Sequence, residues 1–285
     1  MKKLSLSLTF LIVLVLGIMA TPQTPFVEAQ DFSVTISPSS QTHHPGAYVS
    51  YYIEVEASPG FSSSVSLTWI SIYPALAVNK SIEPMVVTPP SGKSAHAILT
   101  VGIPASATSG TSYILTVRGS GGGITQDATA TLSVQDTGAD FCVKTISAKS
   151  MLIYPPSGSG AYYLNFTGIG SFTETVTVSA NVPLAYTTTT LIPDTISAWT
   201  SPTTVTLTVA ITGAQVQPGS YPIEIYSSGT TRSHIDYLVL VIKAKGGFTI
   251  SASPTSLSIN QGDTDFSTIT VTSTSPFASP TSITW

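Results

Sequence analysis

The stretch FSVTISPSSQTHHPGAYVSYYIEVEASPGFSSSVSLTW, residues 32–69, decides the fold, because the chain returns to the same pattern 216 residues later without a gap. Phe32 falls on Phe248, Ser37-Pro38 on Ser253-Pro254, Gly46 on Gly262, Val55 on Val271, Phe61 on Phe277 and Thr68-Trp69 on Thr284-Trp285. Half that offset relates the first copy to one lying between them. Leu99-Thr100-Val101 falls on Leu207-Thr208-Val209, Ile103 on Ile211, Tyr113 on Tyr221, and Leu132 and Val134 on Leu240 and Ile242. The front of the middle copy is shifted by one residue, Asp31-Phe32 matching Asp140-Phe141, as a small loop insertion produces. Self-similarity at a fixed period marks an array of like units. Here the units are 30–139, 140–246 and 247–285, preceded by a leader over 1–29. The third stops at Trp285, inside what the first copy makes a strand, so it reads as a truncated repeat and the chain as a fragment of a longer one.

Within a copy the hydrophobic period is two, the spacing of half-buried strands. Val65, Leu67 and Trp69 alternate with Ser66 and Thr68. Ala97, Leu99 and Val101 alternate with Ile98 and Thr100, which places Ile98 and His96 on the outer face. Tyr113, Leu115 and Val117, then Ala130, Leu132 and Val134, continue the pattern. Breaks at Pro45-Gly46, Pro59-Gly60, Pro89-Pro90, Ser109-Gly110 and Gly121 to Gly123 punctuate it. No segment after the leader keeps a 3.6 period, so helices should be nearly absent. The class is all-β, with about seven short strands per roughly 100 residues, the count of tandem immunoglobulin-like β-sandwiches. An unrelated sandwich or barrel is the alternative. Two details favour the immunoglobulin type. Trp69, with Trp285 as its third-copy counterpart, sits on the strand that buries a Trp between the sheets. Tyr113 and Tyr221 follow Gly110-Thr111 and Gly219-Ser220 where a tyrosine corner belongs, its phenol bonding back to the chain.

Phe61-x3-Val65-x-Leu67, Thr88-Pro89-Pro90-Ser91-Gly92, Leu99-Thr100-Val101 and Gly110-Thr111-x-Tyr113-x-Leu115-Thr116-Val117 resemble the Ig-like repeats of bacterial and archaeal extracellular and cell-surface proteins. The resemblance runs through nearly all of the chain after the leader and rests on core and turn residues. It implies a fold and a surface location, and carries no active site. Such repeats serve as stalks, spacers or accessory modules of surface proteins and exported hydrolases. The middle copy departs from the pattern, with no Trp on its third strand and Trp199 further along instead.

Lys2 and Lys3 followed by the mostly apolar Leu4 to Ala20 form a secretory signal, with Val27-Glu28-Ala29 offering a cut before Gln30. An uncleaved anchor is the rival, at the lower edge of the spanning length. Export puts the protein outside the cell or on its surface. Only 8% of residues are charged against roughly 25% in ordinary soluble domains, and net charge is −4. With no basic surplus to neutralise phosphate, nucleic acid is excluded as a partner. Hydrophobic content of 42% is enough for cores and argues against disorder. Cys142 is the only cysteine, so no intrachain disulfide forms. It should point outward beside Phe141 and Val143, as an inert thiol at the repeat junction or one that pairs with another chain.

Chemistry is thin. His43-His44 precedes Pro45-Gly46 and reads as an exposed turn, since the matching Ile259 and Asn260 are not ligands. His96 and His234 read as solvated or surface hydrogen-bonding residues. Asp263-x-Asp265 is too small a set for calcium, which takes 6–8 oxygens. No Gly-x-Ser-x-Gly elbow is present, and the 14 Asp and Glu are scattered. No catalytic residue, cofactor or metal site is therefore expected. Asn79-Lys80-Ser81 and Asn165-Phe166-Thr167 are N-glycosylation sequons. Tyr51-Tyr52, Tyr162-Tyr163 and Tyr186 are the aromatic candidates for a sugar platform, one of each pair turning inward.

The expectation is a non-catalytic structural or adhesive stalk that spaces a distal region from the cell. An accessory segment of an exported hydrolase and a carbohydrate-binding module are the alternatives. The partners left are a surface glycan or another cell-envelope protein. A membrane anchor lies either beyond residue 285 or in the uncleaved leader. Short junctions at Asp136 to Asp140 and Lys243 to Gly247 predict sandwiches strung end to end.

Overall fold

The alternation of small turn residues with period-two apolar runs folds as it reads. The computed structural model describes residues 30–136, 138–213, 215–243 and 246–274. The leader and Trp285 lie outside the described residues. All of the regular structure described is strand.

The first sandwich comprises β1 (Phe32–Ser37), β2 (Ser40–His43), β3 (Tyr48–Ala57), β4 (Val65–Tyr73), β5 (Asn79–Glu83), β6 (Val86–Val87), β7 (Ser94–Gly102), β8 (Thr111–Gly121) and β9 (Ile124–Val134). One sheet runs β1-β3-β7-β5 and the other β2-β9-β8-β4-β6. The opening strand is therefore shared: β1 pairs antiparallel with β3, whereas β2 crosses over and pairs parallel with β9. This is the two-sheet arrangement of an immunoglobulin-like domain.

The second sandwich repeats it strand for strand. It comprises β10 (Asp140–Thr145), β11 (Ser150–Ile153), β12 (Gly158–Ile169), β13 (Val176–Asn181), β14 (Thr187–Ile192), β15 (Thr195–Ile196), β16 (Thr203–Ile211), β17 (Gly219–Ser228) and β18 (Ser233–Ile242). Its sheets are β10-β12-β16-β14 and β11-β18-β17-β13-β15, with β11 parallel to β18. Register is kept: Thr111 lies opposite Val134 and Gly219 opposite Ile242, the same pair one repeat on. In the third copy β19 (Gly247–Ser253) pairs with β20 (Thr268–Thr274), and Phe248 faces Ser273 as Phe32 faces Ala57. The repeated glycine has a backbone reason. Gly46 and Gly262 both sit at positive φ, 87° and 93°, where a Cβ is strained.

Each sandwich has its own core. In the first, Val65, Leu67, Leu99, Val101, Leu115, Val117, Leu132 and Val134 are buried between the sheets. In the second, Val176, Val178, Leu207, Val209, Ile223, Ile225, Leu240 and Ile242 take those places. A tyrosine bridges the two sheets in each. Tyr51 on β3 donates to the Thr131 carbonyl at 3.0 Å, and Tyr162 on β12 to that of Val239 at 2.6 Å. Both rings are buried, so their hydroxyls need these acceptors.

Trp69 differs from the expectation. It is half-buried against the core edge, because a bulge between Trp69 and Ser71 breaks the β4–β8 register and turns the strand. Lys80 Nζ lies 5.6 Å from its ring centre. In the second sandwich Trp199 packs against Phe141 and Phe172, and its indole donates to the Glu174 carbonyl at 2.7 Å. The two corner tyrosines also diverge. Tyr221 donates to the carbonyl of Gln217, four residues upstream, at 2.8 Å. Tyr113 is buried, and among the described residues its hydroxyl makes no such bond.

Candidate functional site: the junction between two sandwiches

Several residues read as exposed from sequence are buried together, and the cause is sheet-to-sheet packing. The outer face of β3 and β7 lies against β17 and β18, and β10 also touches β3. The sandwiches are therefore not simply strung end to end, which corrects the expectation drawn from the short linker.

Apolar contact comes first. Ile98, Tyr237 and Val239 form a small core of their own, flanked by Tyr52 and Val241. Tyr52 and Tyr237 meet edge-on with ring centres 5.3 Å apart, a geometry worth about 0.5–1.5 kcal/mol beyond area burial. Ile98, an outer-face residue by alternation, is 0% exposed because the second sandwich covers it.

Polar groups around this patch are matched across the junction. Ser50 Oγ donates to Asp236 Oδ1 at 3.0 Å and accepts from the Tyr237 amide at 2.8 Å. His96 is buried, not solvated: its Nδ1 donates to the Ser220 carbonyl at 2.9 Å, and its amide donates to Ser220 Oγ at 3.1 Å. Glu83 accepts from the amides of Lys149 and Ser150 at 2.8 and 3.4 Å.

At one side of the patch sits a titratable group drawn from both sandwiches. His43 is buried at the end of β2, where its ring stacks on His234 at 4.8 Å. His234 Nε2 is 2.8 Å from Asp140 Oδ1. His43 thus corrects the exposed-turn reading, while its neighbour His44 turns to Asp136 at 3.1 Å. His43 Nε2 lies 3.1 Å from Gln41 Oε1, and its Nδ1 is buried with no partner among the described residues. Burial, helped by the neighbouring His234, holds the His43 imidazole down to about 3. Burial pushes the Asp236 carboxyl up to about 7 against the pull of Ser50 and His234. Burial also opposes the Asp140 charge, but its bond to His234, the Phe141 amide and Arg232 together keep that carboxyl below the usual range.

Cys142 reaches from β10 into the edge of the first core and is 7% exposed. Burial, with Asp236 nearby, raises its thiol to about 11. A thiol so placed is protonated at neutral pH and shielded from exchange.

Elsewhere the candidates stay apart. Asn79 is exposed on the edge strand β5, whereas Asn165 lies half-buried on the inner strand β12, its amide oxygen accepting from Thr204 at 2.7 Å. Tyr51 and Tyr162 are core brackets and Tyr52 belongs to the junction, which leaves Tyr163 and Tyr186 exposed and no shared platform. Asp263 and Asp265 sit in an exposed turn, and no group of three or more His, Cys, Asp or Glu able to hold a metal occurs among the described residues.

No family model and no curated protein matches the sequence. Among solved structures the chain is similar to the titin domains Z1Z2 in complex with telethonin, at 14% identity over 76% of this chain and 97% of that one, TM-score 0.24. It is similar to domains 5–6 of the S-layer protein SbsC at 10% identity, over 75% of this chain and 99% of that one, TM-score 0.33. The N-terminal eight Ig domains of Down Syndrome Cell Adhesion Molecule match at 11% identity, over 78% of this chain and 28% of that one, TM-score 0.25.

Proposed function

We propose that this chain is a non-catalytic structural or adhesive segment of a secreted or cell-surface protein, in which the first two sandwiches work as one stiff spacer. The junction carries the reading. A spacer must transmit orientation from one repeat to the next, and a short linker alone leaves two sandwiches free to swing. Here Ile98, Tyr237 and Val239 supply an apolar contact, and the Ser50–Asp236 and His96–Ser220 bonds fix its register. The scattered acidic residues and the buried, protonated Cys142 support a mechanical role over a chemical one.

The test uses Trp69 and Trp199, one in each sandwich, as separate reporters. With Trp285→Phe in the background, Trp69→Phe and Trp199→Phe chains keep one tryptophan each, and denaturant unfolding followed by its fluorescence should give coincident midpoints, because the repeats unfold together. Midpoints well separated in denaturant would end the spacer reading. Fractionation of cells producing the full chain should find it outside or on the surface, and retention in the cytosol would remove the location.

A further inference from the structure

Beside the junction the two sandwiches enclose a groove of about 270 Å³, and its lining is chemically unlike the rest of the chain. Ten Lys and Arg occur in the sequence, two of them in the leader, so eight remain. Three of those eight, Lys80, Lys144 and Lys149, line this one groove. They come from β5, from β10 and from the segment after β10, so the first two repeats must be docked to assemble them. No Asp or Glu among the described residues lines it. Glu83, three residues beyond Lys80 on β5, is turned to the amides of Lys149 and Ser150.

The wall of the groove is also polar. Ser81 and Thr100 contribute hydroxyls, and Thr100 Oγ1 is buried with no hydrogen-bond partner among the described residues. A buried hydroxyl left unpaired costs free energy that a bound acceptor recovers. Lys144 is held in place, its Nζ 4.7 Å from the Tyr48 ring centre, a cation–π distance that positions the charge without cancelling it. Lys80 lines the groove but carries its Nζ to the Trp69 ring, 5.6 Å from the ring centre. In a protein of net charge −4 it is therefore Lys144 and Lys149, with no acidic residue in the lining, that raise the local potential for anions.

We propose that this groove binds one acidic sugar unit of a uronate-type glycan, its carboxylate met by Lys144 and Lys149 and its ring hydroxyls by Ser81 and Thr100. The groove is too small for a folded partner and offers neutral donors as well as charge, the mixture a hydroxylated carboxylate satisfies. Lysines supply hydrated, mobile point charges, not the rigid fork of arginine, so binding is weak per site and strengthens when several copies engage one polymer. The site rests on the docking that the spacer reading also uses, but its own failure would leave coincident unfolding of the sandwiches untouched.

Titration of the purified full chain with trigalacturonate, followed by calorimetry, should show saturable binding that weakens as salt is raised. Lys144→Gln combined with Lys149→Gln should weaken it at least tenfold. Thr100→Val, which keeps the side-chain shape, should weaken it several-fold. The thermal midpoints of these variants, read by circular dichroism, report that the fold persists. Maltotriose, the uncharged control, should bind at least tenfold more weakly. Absence of saturable binding at millimolar trigalacturonate, binding unchanged by the double substitution, or inorganic phosphate binding as tightly would each overturn the assignment.

Discussion

The first two sandwiches share their strands and strand order, yet the same face is finished differently in each. On β9 of the first, Thr129, Thr131 and Ser133 point outward; on β18 of the second the equivalent places hold Tyr237, Val239 and Val241. Conversely, Tyr52, His96 and Ile98 of the first are covered, while their counterparts Tyr163, Thr204 and Thr206 in the second face outward. Even the polar detail scales with cover. Gln126 reaches Asp31 at 3.4 Å in the first repeat, and His234 reaches Asp140 at 2.8 Å in the second, buried beneath its neighbour. One fold thus carries two surfaces, and a repeat's surface records which neighbour it meets.

Exchanging those surfaces is the strongest way to break the comparison. Tyr237→Thr, Val239→Thr and Val241→Ser together give the second repeat the first repeat's outer face. This should cost at least about 3 kcal/mol in denaturant unfolding and separate the two transitions. The reverse exchange, Thr129→Tyr, Thr131→Val and Ser133→Val, lies on an uncovered face and should change stability by no more than about 0.5 kcal/mol per site. Equal losses would mean that the junction is not a stabilising contact.

Next come the two tryptophans. Trp69→Ala should cost about 2 kcal/mol, below the roughly 3–5 of a fully buried ring, because the bulge leaves it half out. Trp199→Ala should cost about 1 kcal/mol more, since it also strands the Glu174 carbonyl. Equilibrium unfolding of the two variants reads the order directly.

The buried ionisable groups sharpen the comparison through pH. His43, depressed to about 3 when folded against an ordinary 6.5, makes stability fall as pH drops from 6.5 toward 3. Asp236, raised to about 7 against an ordinary 3.8, makes stability fall as pH rises from 3.8 through 7. Between about pH 4 and 6.5 the folded state carries its proton on Asp236 and the unfolded state on His43, so these two contributions cancel. His96, also lowered by burial, adds an acid loss of the same sign as that of His43. Asp236→Asn should therefore be the more stable form at pH 8, and should lose stability more steeply than the parent between pH 6.5 and 4. A parallel pH profile for the two proteins would exclude the cancellation.

The smallest effect separates the corner tyrosines. Tyr221→Phe removes a 2.8 Å bond to Gln217 and should cost about 1 kcal/mol. Tyr113→Phe, with no such bond to lose, should be nearly silent in the same assay.

The cores were legible because alternation is a local rule. Leu99, Val101, Leu132 and Val134 and their partners one repeat on needed only period two and the 108-residue offset. The junction was not, because alternation assumes one wet face. A signal was nevertheless present. Ala95 to Leu99 and Tyr237 to Val241 are apolar on both parities apart from His96, and a strand apolar on both faces is covered on both. His43 could not be read this way, for what buries it is a histidine 191 residues away in the second sandwich. The groove divides in the same way, with Lys144 and Lys149 in the second repeat and Ser81 and Thr100 in the first, and only docking of the two repeats brings them together.

The crossing of the opening strand, described above as β1 in one sheet and β2 in the other, has a mechanical side. Because β2 runs parallel to β9, the last strand of its repeat, a pull applied at opposite ends of the sandwich drags the two past each other. Their ladder from Ser40 to His43 then bears load on all its rungs at once instead of opening rung by rung. The second repeat places β11 against β18 in the same way, so each sandwich is latched along the direction in which a tether is stretched.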